Sequence, residues 1–399
     1  MSEKTYRIWN LGVGWTVFAI ALFTFGSTVE PTASFWDAGE YIATSAKLQV
    51  GHPPGAPFFQ MMGAFFALFA SSPEKIALMV NYMSVFSSAF TILFLFWTIT
   101  LLLRKLPSFK SLNTLSERIG FFGSATVGSL AFCFSDSFWF NAVETEVYAM
   151  ATLILAILFW MGLKWEQEMN TPRGDRWLLM IAFVIGLSFG VHFMGLLTIP
   201  AIGMIYYFKN YNKVTIKGFV LANLVSTAIL LVIFKLLLPY TLAFFGKSEV
   251  FFVNTMGLPF ESGTIIAALV IIALFYYSLR YTRKRNLVNL NTGILAILFV
   301  LIGFSSWIMI PIRANANTVI NENSPSDARL LLAYYNLEQY PETKLFYGPM
   351  FSDIYAGQDP DEPYIDDKPK YERDYKTGRY KIVNFWEDAR FNSNSSHNG

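Results

Sequence analysis

Apolar residues in this chain gather into long runs instead of recurring at every third or fourth position, the pattern of helices surrounded by apolar material on all sides. Such runs cover 11–29, 76–103, 119–134, 148–163, 177–208, 219–245, 264–279 and 292–312. About 20 apolar residues cross a hydrocarbon core of about 30 Å, so the pattern predicts a chain that crosses a membrane many times. The first run is read as a span and not as a signal peptide, because it is long enough and no small-residue cleavage site closes it. Run 177–208 would make a single helix of about 48 Å, far longer than a bilayer is thick. Dividing it near Gly190 and His192 gives two short or tilted spans, and nine in all.

Orientation follows from the basic residues of the loops. With the N-terminus in the cytoplasm, the inner segments hold Lys4, Arg7, Arg104, Lys105, Lys110, Arg118, Lys164, Arg173, Arg176, Lys209, Lys213, Lys217, Arg280, Arg283, Lys284 and Arg285. The outer loops hold only Lys47, Lys75 and Lys247. Leaving 177–208 undivided would move the two later basic clusters outside. Nine spans place everything after residue 312 on the outer side, so the chain divides into a membrane part, 1–312, and an extracytoplasmic segment, 313–399.

Composition agrees with the runs. Hydrophobic residues make up 54% of the chain and charged residues 15%, against roughly 25% charged in soluble domains. A net charge of +2 gives no reason to expect a nucleic-acid partner. The single cysteine, Cys133 between Phe132 and Phe134, excludes a disulfide framework and reads as a packed apolar side chain. In the tail, Ser324 and Pro325 look like the cap and first turn of an amphipathic helix reaching about Tyr340, with Leu330, Leu331, Tyr334 and Leu337 on one face and Pro341 as its stop. Beyond about Gly348, Pro-rich charged stretches predict loops and turns, and 392–399 reads as a frayed end.

The candidate chemistry lies in the outer loops, which are poor in charge except for clustered acids. The first reads Glu30-Pro-Thr-Ala-Ser34-Phe-Trp-Asp37-Ala-Gly-Glu40-Tyr41, followed by Lys47 and by His52-Pro-Pro-Gly. On a helix Glu40 and Tyr41 share a face with Asp37, and the rigid turn can return the His52 imidazole toward the acids. The bland reading makes Ser34 and Asp37 a capping pair. The second loop, Asp136-Ser-Phe-Trp-Phe-Asn141-Ala-Val-Glu144-Thr-Glu146-Val-Tyr148, contains three carboxylates and no Lys or Arg. On a helix Asn141, Glu144 and Tyr148 face together; its aromatics also fit an interfacial belt, which has no need of the acids. His192 falls at the outer turn of the short helix pair, where the alternative is a packing role. Arg313 closes the last span as either a snorkelling anchor or a clamp for a phosphate at headgroup depth.

These motifs carry a resemblance. Glu30-Pro-Thr-Ala-Ser-Phe-Trp-Asp-Ala-Gly-Glu-Tyr with Val50-Gly-His-Pro-Pro-Gly-Ala-Pro is similar to the signature of the DUF2723 family of bacterial membrane proteins, relatives of animal membrane protein O-mannosyltransferases. The likeness extends through Phe138–Tyr148, Gly190–Leu197, Pro311–Asn317 and Glu338-Gln-Tyr340. It implies an all-α, multi-span bundle of the GT-C glycosyltransferase type in a bacterial inner membrane, with its catalytic loop and C-terminus in the periplasm. It also implies a polyprenyl-phosphate sugar as donor and a protein or glycan as acceptor. By that resemblance Asp37 is the catalytic base, supported by Glu40. Lys47 and Arg313 suit the leaving phosphate, while His52, Asn141, Glu144, Glu146, Tyr148 and His192 bind the substrates. No cofactor or metal is expected, because the spacing of acids and histidines fits no defined metal motif. Two other classes stay open: a transporter or flippase, with Lys235 as the one ionisable residue deep in a span, and a non-catalytic membrane subunit of an envelope assembly.

The orientation is tested with a reporter active only outside the cytoplasm. Fused after Ser324 it is expected to be active, and fused after Lys213 silent; the opposite result at either position overturns the arrangement.

Overall fold

The computed structural model describes residues 1–109, 111–340, 359 and 361–389. The expectations for Lys110, for Pro341 as a helix stop and for the 392–399 end lie outside these residues. In chain order the helices are α1 (Glu3–Gly26), α2 (Ala38–Lys47), α3 (Pro57–Ala67), α4 (Ile76–Leu103), α5 (Leu115–Cys133), α6 (Asp136–Ala142), α7 (Val147–Glu168), α8 (Asp175–Ser188), α9 (Thr198–Asn210) and α10 (Ile216–Leu231). There follow α11 (Leu238–Asn254), α12 (Ser262–Lys284), α13 (Val288–Phe304), α14 (Met309–Ala314) and α15 (Ala328–Tyr335), then strands β1 (Tyr364–Asp374) and β2 (Arg379–Ala389).

Among the described residues, six helical stretches are long and apolar enough to cross a membrane: Glu3–Gly26, Pro73–Leu103, Val147–Glu168, Ile216–Asn254, Ser262–Lys284 and Val288–Ala314. The pair α5 and α6, bent by 69°, makes a seventh if it is one broken span. The chain is therefore a multi-pass membrane protein. Every expected run is helical, but α8 and α9, at 14 and 13 residues, are each too short to cross unaided. Their break falls where the sequence places it: after Ser188 the chain leaves the helix, and His192 opens a short 3-10 turn. Much of the apolar surface faces outward, as it would toward lipid. Along α10, Ile216, Leu221 and Leu224 are all exposed. Between α10 and α11 a π turn, Val232–Leu237, carries Lys235, whose ammonium lies 4.9 Å from the centre of the Phe234 ring.

The residues form two compact units. In the first (Met1–Gly51, Gly55–Leu238, Leu274–Ile320), α4 is the central post against which α1, α3, α5 and α7 pack. Phe25, Val17 and Ala21 of α1 meet Ala89, Ile92 and Phe96 of α4 and Phe121 and Ala125 of α5, all buried, and Cys133 joins this core as the sequence predicts. Helices α8 and α13 cross backbone against backbone. A methyl group at Gly186 would lie 2.0 Å from the Val300 carbonyl oxygen, and one at Gly303 2.2 Å from that of Phe183. Trp307 then locks the crossing, its indole N–H donating to the Phe189 carbonyl at 3.0 Å.

The second unit holds His52–Pro54, most of α11, the first half of α12, α15 and the hairpin. Here the sequence reading needs correction. The expected all-α fold contains an antiparallel two-stranded sheet where loops were predicted, paired from Tyr364↔Ala389 to Asp374↔Arg379. The turn closes at Gly378, which has φ +67° and donates to the Asp374 carbonyl at 2.8 Å. Pro369, which argues against a strand in the sequence, sits beside a break in register where its missing N–H is tolerated. The amphipathic helix is also shorter than expected. Its cap is Asp327, whose carboxylate accepts from the Arg329 and Leu330 N–H groups, and not Ser324. It ends at Tyr335, which leaves Leu337 exposed with φ +57°.

The helix crossing gives a direct test. Gly186→Ala is expected to lower the melting temperature of the detergent-purified protein, since the clash is with backbone and costs at least about 1–3 kcal/mol. Gly293→Ala, on α13 with open space around it, is expected to leave the melting temperature unchanged or raise it slightly. Equal behaviour of the two variants would remove the crossing as a structural constraint.

Candidate functional site

The site is built on α4. Asn81, 1% exposed, is the one amide in α4. Its side-chain N–H groups donate to the carbonyls of Glu30 (2.7 Å) and Thr32 (2.9 Å), and its Oδ1 accepts from the Thr145 hydroxyl. One side chain thereby holds both acidic loops. The Glu30 N–H adds a direct bond to the Val143 carbonyl at 3.0 Å. Sequence reasoning passed over Asn81, although a lone amide inside a spanning run was the available signal.

Held this way, the acids of the two loops converge. Ser34 does not cap α2; its hydroxyl donates to Glu144 Oε2 at 2.6 Å. Asp37 stands at the N-cap position, but its carboxylate makes no capping bond to the helix, and its N–H donates to Glu146 Oε1 at 3.2 Å. The preceding Trp36 is held at φ +59°, a left-handed conformation unusual for so large a residue. Asp37 is exposed, while Glu144 and Glu146 are 2% and 6% exposed. Oε1 of Glu144 is buried with no hydrogen-bond partner among the described residues. Burial, with the charge of Glu30 adding to it, pushes the Glu144 carboxyl above its usual range. Burial together with the charges of Asp37 and Glu144 pushes Glu146 up to about 7. The buried Tyr41 hydroxyl is driven up as well, first by desolvation and then by Glu146, Asp37 and Glu40.

Asp37 and Glu40 share a helical face as expected, with carboxylate oxygens within 4.8 Å of each other. A hard divalent cation with oxygen ligands would find its first two partners in this pair. Glu40 lies against Gly51, where a methyl group would come within 2.6 Å of Oε1, so the chain passes the carboxylate only because residue 51 lacks a side chain. Tyr148 is half-exposed, and its ring lies 5.5 Å from that of His192. Nδ1 of His192 accepts from the Met194 N–H at 3.2 Å, which leaves the ring proton on Nε2.

One expected arrangement turns out differently. Glu144 and Tyr148 do not share a helical face, because α6 ends at Ala142 and α7 begins at Val147, with both glutamates in the link. Asn141 stays on its own helix and donates to the Ser137 carbonyl at 2.9 Å. His52 belongs to the second unit, where its carbonyl accepts from the Tyr334 hydroxyl at 3.1 Å. Arg313 is half-buried and donates from Nε to the Leu48 carbonyl and from Nη2 to that of Lys47 at 3.1 Å. It therefore secures the C-terminal end of α2, whose last turn carries the exposed Lys47.

One family model matches this region. Residues 37–215, which begin at Asp37 and take in Glu40, Glu144, Glu146 and His192, match the protein O-mannosyl-transferase TMEM260 N-terminal domain. Residues 341–398 match a family of unknown function, DUF8416. Among curated proteins, the protein O-mannosyl-transferase tmem260 of Dictyostelium discoideum is 23% identical over 162 residues, which is 40% of this chain and 18% of the relative. The chain thus matches about a fifth of that relative's length. No solved structure matches the chain.

The raised Glu146 carboxyl has a consequence for stability. Between its ordinary value of 4.5 and about 7 the folded state holds a proton that the unfolded chain releases. Stability should therefore fall as pH rises through that window and level off above it. Glu146→Gln, which is neutral throughout, is expected to remove this slope in melting curves taken between about pH 5 and about pH 8. An unchanged slope in the variant would assign the effect to another group.

Proposed function

We propose that the chain is a GT-C-type glycosyltransferase related to protein O-mannosyl-transferases, moving a sugar, most simply mannose, from a polyprenyl-phosphate carrier to a Ser or Thr hydroxyl of an extracytoplasmic acceptor. The observation that carries this reading is the convergence of Asp37, Glu40, Glu144 and Glu146 from two loops tied to one helix, inside the stretch similar to the O-mannosyl-transferase domain. The DUF2723 motifs belong to the same reading. So do nine spans within residues 1–312, with α8 and α9 as short crossings, and a periplasmic 313–399 segment in a bacterial inner membrane.

In this mechanism the acceptor hydroxyl attacks the anomeric carbon while Asp37, at the exposed rim of the cluster, takes its proton. The sugar–oxygen bond to the carrier breaks, and the electron pair leaves with the phosphate. General-base help of this kind is worth about 10²–10⁴-fold. Glu146 holds the Asp37 backbone, and a neutral Glu146 at low pH keeps a second negative charge away from the base. Lys47 meets the negative charge gathering on the leaving phosphate. Arg313 acts through it as a positioning residue, fixing the turn that presents Lys47. Glu40, Tyr148 and the Nε2–H of His192 supply hydrogen bonds to sugar hydroxyls. No metal enters this scheme.

Purified Asp37→Asn protein is expected to lose at least about 10²-fold in sugar transfer while still binding the lipid donor, because asparagine keeps the shape but is not a useful base. Lys47→Ala should weaken both donor binding and turnover. A chelator should leave the wild-type rate unchanged. Transfer by Asp37→Asn within about threefold of wild type would move the base to Glu40 or Glu146, and loss of carrier movement without change in glycosylated product would favour a transporter.

A further inference from the structure

The second unit contains a cavity of its own, of about 420 Å³, between α15 with the residues that follow it and one side of the hairpin. Its wall is polar in a specific way. Arg329, 8% exposed, donates from Nη2 to Glu338 Oε2 at 3.0 Å and to the Pro369 carbonyl at 3.2 Å. Its Nη1 is buried without a hydrogen-bond partner among the described residues, and so is Nε2 of Gln339. Two donors without a partner among the described residues, on residues of one wall, are costly unless a ligand brings oxygen acceptors to them. Trp386 and Tyr371 supply aromatic surface, with the Lys370 ammonium 5.0 Å from the Trp386 ring centre and the Arg329 guanidinium 4.9 Å from that of Tyr371.

Charge decides the kind of ligand. The lining cations, Arg329 and Lys370, are matched by Glu338 and Glu372, and the guanidinium is already ion-paired with Glu338. A phosphate or carboxylate would meet two carboxylates and a neutralised arginine, whereas a purely apolar ligand would leave both donors unpaired. A neutral ring bearing several hydroxyls suits every part: its oxygens accept from Nη1 and Nε2, its hydroxyls donate to Glu338, and its C–H face packs on the aromatic side chains. We propose that this cavity binds a neutral hexose residue of a glycan. The inference rests on the second unit alone and does not depend on the transferase reading.

The test uses the full chain in detergent, with ligand-observed saturation-transfer NMR and three probes: methyl α-D-mannopyranoside, methyl α-D-glucopyranoside and inorganic phosphate. At least one glycoside is expected to bind saturably in the millimolar range, and phosphate is not expected to compete. Trp386→Ala should weaken glycoside binding about tenfold or more through loss of the aromatic contact. Gln339→Leu, at a half-buried position and so less disruptive to folding, should weaken it several-fold, while Gly293→Ala leaves it unchanged. Absence of saturable glycoside binding to the folded wild-type protein would overturn the proposal, as would binding by phosphate in their place. Glycoside binding kept undiminished in both Trp386→Ala and Gln339→Leu would also overturn it, by placing the sugar outside this cavity.

Discussion

The acidic cluster exists because Asn81 can be buried. An amide carried into an apolar helix bundle is unfavourable unless each of its polar atoms is matched, and here both N–H directions and the carbonyl oxygen find partners in the two loops. The helix fixes where that amide stands, so the loops inherit its position. Without the tie, four carboxylates drawn from segments about a hundred residues apart would separate by mutual repulsion, since no Lys or Arg bonds to either glutamate of the second loop among the described residues. Hydrogen bonds from Ser34 and from the Asp37 backbone offset part of that repulsion but would not locate it.

The frame around Asn81 is built for rigidity at few points. Aromatic and aliphatic side chains of α1 and α5 fill the space against α4, while α8 and α13 come close enough that only glycine fits between their backbones. Such a crossing fixes the start of the turn that carries His192, because Phe189 at the end of α8 receives the Trp307 indole bond. Arg313 plays the matching part for α2. Its two carbonyl contacts, together with the bonds of Gln49 and Val50 to Ile320, tie the far end of the Asp37 helix to the segment following α14. The first acidic loop is thus held at both ends by residues distant in sequence.

What the sequence shows is what depends on local composition. Apolar runs mark the helices, the excess length of 177–208 marks its break, and the spacing of Asp37, Glu40 and Tyr41 marks a shared face. Bonds across more than a hundred residues leave no local trace, which is why the Ser34 bond to Glu144 and the Lys47 and Leu48 carbonyls as targets of Arg313 were not legible, while Asn81 left only the signal of a lone amide in a spanning run. Helical spacing misled at Glu144 and Tyr148, since Thr145 turns away to Asn81 and the helix restarts only at Val147. The hairpin was hidden for a different reason. Its strands are charged, broken in register and marked by Pro369, and they gain their place through long-range pairs such as Arg373 with Asp327 and the Tyr380 backbone with Asn254.

Burial divides the acids into two settings. Glu144 and Glu146 are buried, so each meets a desolvation penalty that favours its neutral form. Asp37 is exposed at the rim, where a carboxylate stays hydrated and open to an incoming hydroxyl. In the proposed reaction a base that collects protons from successive acceptors gains from that exposure, whereas a group that orients a loop gains from being enclosed. Glu146 Oε1 accepts from the backbone and not from the side chain of Asp37, so it can hold the loop without consuming the carboxylate that would act. The same bond weakens when Glu146 takes up its proton. Loop order and the charge of the cluster are thereby coupled through Glu146, whose carboxyl burial pushes up to about 7.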